Sequence, residues 1–189
     1  MNDYIDGYLR GHEETLQKVR RDLVAGIGDC ARLLAEALRQ GKKVLIMGNG
    51  GSAADAQHFA AEMVGRFLRN RPALPAIALT TDTSILTAVG NDFGYDEVFK
   101  RQVEALAHPG DVVFGISTSG HSNNVFHALT AANKIGCRTV GLLGRQGGNI
   151  GGIVDLNLTV PAEETPHIQE AHITILHILC SLVEQELGE

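Results

Sequence analysis

His58 and Glu62 stand four residues apart in SAADAQHFAAEMVGRF. On a helix that spacing puts both side chains on one face. Such a pair can supply two ligands to one metal ion, or set a base beside an acid. A solvated His–Glu pair on a surface helix has the same spacing, and it is the reading the segment alone favours. Directly upstream lies GNGGSAAD, Gly48 to Asp55. A second stretch of similar character, GISTSGHSNN, runs from Gly115 to Asn124 and presents Ser117, Thr118, Ser119 and Ser122. Glycine lets a backbone approach a ligand closely. Hydroxyls add neutral donors, and free N–H groups at a helix N-terminus attract anions. Together these are the parts of a phosphate cradle. Either loop alone is equally well read as turn or capping chemistry, with Ser119 or Ser122 capping a helix that starts near 122.

The last helical segment, TPHIQEAHITILHILCSLVEQEL, carries three more histidines. Thr165 is placed to cap it, with Pro166 at the first helical position. His177 is flanked by Ile175, Leu176, Ile178 and Leu179, a setting in which a histidine is more often a satisfied core residue than a ligand. His167 and His172 read as more exposed. GNDFGYDEVF, Gly90 to Phe99, reads as a turn that exposes Asn91 and Asp92 between helices.

These residues need a scaffold. Residues 3–39 read as helix, closed by Gly41. Short apolar runs then alternate with helical stretches. Strands are expected at 43–47, 76–79, 112–116, 139–143 and 154–158, and helices at 53–68, 83–89, 95–107, 122–135 and 166–187. The first four strands are nearly all apolar, as in a parallel sheet covered on both faces. The pattern predicts one domain with a three-layer α/β/α fold, a helical segment over 1–40 and an α/β core over 41–189. In the flavodoxin-like order 2-1-3-4-5, strands one and three are neighbours. Their connections diverge to opposite faces and open a crevice. Both glycine- and hydroxyl-rich loops would flank that crevice.

The 189 residues carry a formal net charge of -6, which argues against a nucleic-acid binder that relies on a global positive field. The polar N-terminus MNDYIDGYLRGHEETLQ contains no apolar signal core, and no apolar run approaches a membrane span. Cys30, Cys137 and Cys180 are scattered in apolar contexts, as suits free thiols in a reducing cytoplasm.

Taken together, GNGGSAADAQHFAAEMVGRF, TTDTSILTAVGNDFGYDEVF, GISTSGHSNNV and IQEAHITILHIL closely resemble the bacterial phosphoheptose isomerases of the sugar-isomerase (SIS) domain superfamily. The resemblance covers nearly the whole chain. It implies an aldose–ketose isomerisation of sedoheptulose 7-phosphate to D-glycero-D-manno-heptose 7-phosphate, a precursor for lipopolysaccharide core or capsule. It places the catalytic base on Glu62 and its partner acid/base on His177. Substrate phosphate would fall on Ser117, Thr118, Ser119 and Ser122. Further substrate contacts would come from Asn49, Gly50, Gly51, Ser52, Glu62, Asn91, Asp92 and Gln169. Zn²⁺ would be ligated by His58, Glu62, Gln169 and His177, in a cytoplasmic homotetramer with active sites at subunit interfaces. Some members carry an aspartate three residues before the equivalent of Gln169, where this chain has Pro166.

The implied roles suit the chemistry. Moving a proton between two sugar carbons through an enediol needs a base above the sugar face and a second group for the hydroxyl protons. The implied metal set meets one obstacle. Gln169 and His177 are eight residues apart, about 12 Å of rise on a straight helix. Either the helix start is irregular or the site combines residues of different subunits. Two other readings compete. One is a non-catalytic SIS protein that binds a replication initiator, whose pattern lacks the glutamate found here as Glu62. The other is an isomerase of a different phosphosugar.

Overall fold

A computed structural model describes residues 1–188. Two helices, α1 (Asn2–Asp22) and α2 (Val24–Arg39), precede an alternating series. The series runs β1 (Val44–Gly48), α3 (Gly51–Val64), β2 (Ala76–Ala78), α4 (Thr83–Phe93), a 3₁₀ turn (Tyr95–Glu97), α5 (Val98–Leu106), β3 (Val112–Ser117), α6 (Asn123–Ile135), β4 (Arg138–Gly144), β5 (Leu156–Val160) and α7 (Thr165–Leu187). All strand pairs are parallel and the order is 2-1-3-4-5, as the alternation predicts.

The sheet is buried on both faces because its strands are apolar on both faces. Val44 and Ile46 of β1 join Phe114 and Ile116 of β3 in one core, under α2, α3 and α7. Leu45 and Met47 point the other way and join Val113 in a second core, under α5 and α6. The period of two along each strand creates the two layers.

Several expected boundaries move. The expected single helix over 3–39 is two helices that meet at Leu23. The break gives α1 and α2 separate packing: α2 lies along α7, while α1 meets the start of α7. The helix expected from 53 starts at Gly51 and stops before Gly65. The fifth strand lies two residues further on than expected. Thr165 is the first residue of α7 and Glu164 holds the cap position. Asn91 and Asp92 are not in a turn. Helix α4 is capped by the Asp82 side chain and continues to Phe93, ending where Gly94 takes φ 90°. Among the described residues, no helix is long and apolar enough to cross a membrane.

Candidate active site

Gly48 of β1 pairs in register with Ile116 of β3, so both glycine- and hydroxyl-rich loops leave the sheet at one edge. A reciprocal amide pair ties them together. Asn49 Nδ2 donates to Asn124 Oδ1 at 2.9 Å, and Asn124 Nδ2 donates to Asn49 Oδ1 at 2.8 Å. Tyr95 adds a phenol hydrogen bond to Asn49 Oδ1 at 3.1 Å.

Within the second loop, Ser117 Oγ lies 2.9 Å from Ser122 Oγ and 3.4 Å from Ser119 Oγ. Ser122 holds the cap position of α6, yet its side chain makes no capping bond. The capping reading of that serine therefore fails, and α6 keeps free N–H groups at its start. Gly120 has φ 70°, and a Cβ there would sit 2.3 Å from the Gly147 carbonyl carbon. Only glycine fits this position. The next loop forms the far wall of a cleft of about 360 Å³ lined by Ser119, His121, Arg145, Gln146, Gly148 and Glu163. Arg145 has φ 57°, a left-handed backbone unusual for a side-chain-bearing residue. Sequence reasoning missed Arg145, which brings a fixed positive charge to the serine loop.

The titratable candidates lie elsewhere. His58 Nε2 is 3.0 Å from His177 Nε2 and 3.4 Å from Glu62 Oε1. The four-residue spacing on α3 thus does place the acid and the imidazole on one face. His177 is half-buried rather than sealed in the core. Its ring stacks on Phe67, with centroids 5.5 Å apart and planes at 21°. Phe67 belongs to an irregular segment after α3 that buried Glu184 secures. The Glu184 carboxylate accepts the backbone N–H groups of Phe67, Leu68 and Arg69 at 2.8–2.9 Å. It also pairs with Arg71 at 3.2 Å. Burial alone would raise this carboxyl's pKa, but the three N–H donors and Arg71 outweigh it and hold the group below its ordinary value.

Gln169 does not join His58, Glu62 and His177 in this chain. Its amide lies against the Gly51 backbone, at the start of α3. Helix α7 is continuous from Thr165, which removes the irregular-start explanation. Gly51 meets Gln169 while His58 meets His177, so the two helices run side by side with the contacts about 10–12 Å apart. Glu62 is further still, about 16 Å along α3 from Gly51.

Between them sits Asp55, which sequence reasoning also missed. It is buried, lines a cavity of about 290 Å³ with Gln169, and has one carboxylate oxygen without a partner. Burial pushes its pKa up to about 6, opposed by His58. The available signal was spacing: Asp55, His58 and Glu62 follow i, i+3, i+7 on one helix face.

His167 and His172 correct the expectation of exposure, since both are buried. His172 lies 2.9 Å from the Leu143 carbonyl oxygen, and burial lowers its pKa to about 4 despite that contact. It is a neutral core residue. Asn91 and Asp92 are exposed at the end of α4 and hydrogen-bond each other at 2.8 Å.

Known proteins share this sequence and fold. The sequence model of the SIS domain matches residues 7–144. A phosphoheptose isomerase of Syntrophotalea carbinolica is 66% identical over 183 residues, covering 97% of this chain and 93% of the relative. A phosphoheptose isomerase of Geobacter sulfurreducens is 63% identical and covers 99% of both chains. The solved structure of phosphoheptose isomerase GmhA from Neisseria gonorrhoeae superposes with a TM-score of 0.93 at 43% identity, covering 97% of this chain and 98% of that one. With sequence and scaffold matched over nearly the whole length, the chain belongs to the SIS-domain family and, within it, to the phosphoheptose isomerases.

Proposed function

We propose that the chain interconverts sedoheptulose 7-phosphate and D-glycero-D-manno-heptose 7-phosphate in the cytoplasm, supplying heptose for lipopolysaccharide or capsule. The observation that carries this reading is the Glu62 carboxylate beside His58, whose ring in turn meets His177, on a chain whose serine hydroxyls gather at the α6 N-terminus. The cradle of Ser117, Thr118, Ser119 and Ser122 holds the phosphate, assisted by the α6 N–H groups. Glu62 takes a proton from C1 of the ketose and returns it to C2 of the enediol. His177 manages the hydroxyl protons, its ring held by Phe67. Asn49, Gly50, Gly51, Ser52, Asn91, Asp92 and Gln169 position the sugar.

Zn²⁺ fits the donor types. His58 Nε2 has its two neighbours at 3.0 and 3.4 Å, near the ~3.3 Å between ligands in a tetrahedral zinc site with 2.0–2.1 Å bonds. His58, Glu62 and His177 would hold it, with Gln169 supplied by another subunit, and when bound it would stabilise charge developing on the two sugar oxygens.

Glu62 stands about 16 Å along α3 from Gly51, and the complete site is accordingly read as shared between subunits of a homotetramer. Exposed Tyr4, Ile5 and Leu9 on α1, and Val64, Leu68 and Ile178 around the His58–His177 pair, support assembly through these faces. Sedimentation should show a tetramer at assay concentrations; an active monomer would refute the shared site.

The cradle has its own test. A hydrogen bond to a charged group contributes about 1.5–3 kcal/mol. Ser119→Ala and Ser122→Ala should therefore each raise KM for the phosphosugar about 10–100-fold and weaken inorganic phosphate as an inhibitor. Unchanged values in both variants would remove the phosphate from this loop.

A further inference from the structure

We propose a second divalent-metal site, for an ion of the zinc class, formed by His12 of α1 with His167 and Glu170 of α7. Among the described residues, this is the one trio of His, Cys, Asp or Glu whose ligand atoms all lie within 4.8 Å of one another. His12 Nδ1 is 3.0 Å from Glu170 Oε2, and His167 Nδ1 is 3.1 Å from the same oxygen. Ligands on tetrahedral zinc stand about 3.3 Å apart, so both contacts to the Glu170 oxygen are close to that spacing.

The hydrogen bonds to Glu170 leave one ring nitrogen of the trio over. Glu170 is already served: Tyr8 donates to Oε1 at 2.8 Å, and His167 Nδ1 is within reach of Oε2. His12 Nδ1 is left over. It is buried and makes no hydrogen bond, although a carboxylate oxygen stands 3.0 Å away. Either a proton or a bound cation must lie between that ring nitrogen and the anionic oxygen. A divalent ion bound by both nitrogens and the oxygen would take that place.

The outer contacts are those that ligands require. A ligating histidine normally gives its other N–H to a carboxylate. His167 Nε2 has Glu164 Oε2 at 3.4 Å. A ligating carboxylate is normally hydrogen-bonded through its second oxygen, and the Tyr8 hydroxyl does this for Glu170. Two imidazoles and a carboxylate leave a fourth position for water, and the half-exposed faces of His12 and Glu170 give an ion access. Gly11 contributes by omission: a Cβ there would lie 2.7 Å from His167 Nε2. The bare backbone lets the ring lie against α1.

The bound ion would fasten α1 to the first turns of α7. His167 and Glu170 bracket Gln169 in sequence, so the ion would also steady the turn that presents Gln169. This site shares no ligand with His58, Glu62 or His177.

The test uses the full chain with His58→Ala and His177→Ala, which removes the imidazoles beside Glu62, and titrates it with Co²⁺ and Zn²⁺. The visible bands of tetrahedral Co²⁺ should appear at one ion per chain, and Zn²⁺ should quench them. Adding His12→Gln or Glu170→Gln should weaken Co²⁺ by more than the 10–100-fold cost of losing an outer partner. Glu164→Gln should weaken it by about that amount. His12 is half-exposed on α1, so His12→Gln should keep the helical circular dichroism of its parent. No stoichiometric Co²⁺ in the doubly substituted chain overturns the proposal, as does binding indifferent to both His12→Gln and Glu170→Gln.

Discussion

Glu62→Gln loses about 10²–10⁴-fold in turnover, the contribution of a positioned general base. That range corresponds to about 3–5 kcal/mol of barrier. The amide keeps the size and hydrogen-bonding shape of the acid but cannot accept a proton from a sugar carbon. The loss should fall on kcat with KM nearly unchanged, because the cradle of Ser117–Ser122 belongs to a different part of the chain. If zinc is bound there, its content could fall in the same variant, so metal is measured on the same sample. His177→Ala should show a comparable loss. His108→Ala should not, since His108 is exposed on the loop before β3. Turnover near wild type in Glu62→Gln would take this residue out of the mechanism and reopen a non-catalytic reading.

Glu184→Gln should be the most destabilising of the conservative changes considered. The carboxylate is buried, accepts three backbone N–H groups and faces Arg71. Leaving a buried charge without its partner costs about 3–5 kcal/mol. At the lower end, for a chain of this length, that is about 6–12 °C in Tm. The pH dependence has a definite sign. Glu184 is held below its ordinary value in the folded chain. Its stabilisation is present above the unfolded carboxyl value of about 4.3 and is lost as pH falls through the lower folded value. The difference in Tm between wild type and Glu184→Gln should therefore shrink in acid. A difference that stays constant to the lowest accessible pH would show that the charge is not the source. Because Glu184 fixes the segment that carries Phe67, the variant should also lower kcat through a less ordered His177 ring.

Most of the scaffold was legible in the sequence because its signals are local. Near-continuous apolar runs at KVLIM and VVFGI mark buried parallel strands, and the strand order follows from the rules for doubly wound sheets. The break at Leu23 was not legible. It contains no proline or glycine and arises from what each half packs against. Asn91 and Asp92 looked like a turn because GND is turn-rich in composition, while the Asp82 cap and the Gly94 stop carry the helix through it.

The site was legible by type more than by place. The meeting of the two glycine- and hydroxyl-rich loops follows from strand order, and His58 with Glu62 from helical spacing. Burial of His167 and His172 did not follow, since it depends on where α1 and β4 meet α7. Asp55 and Arg145 were passed over for the same reason. Nothing in ADAQ or GRQG reports a buried carboxylate or a left-handed backbone.

The most direct measurement is incubation of the chain with sedoheptulose 7-phosphate, following the aldose by the NMR signal of its anomeric proton. Unphosphorylated sedoheptulose and fructose 6-phosphate run alongside. Rapid aldose formation from sedoheptulose 7-phosphate, little from the other two, and its loss in Glu62→Gln is the expected result. No aldose from sedoheptulose 7-phosphate, or faster turnover of the hexose phosphate, would contradict the assigned reaction.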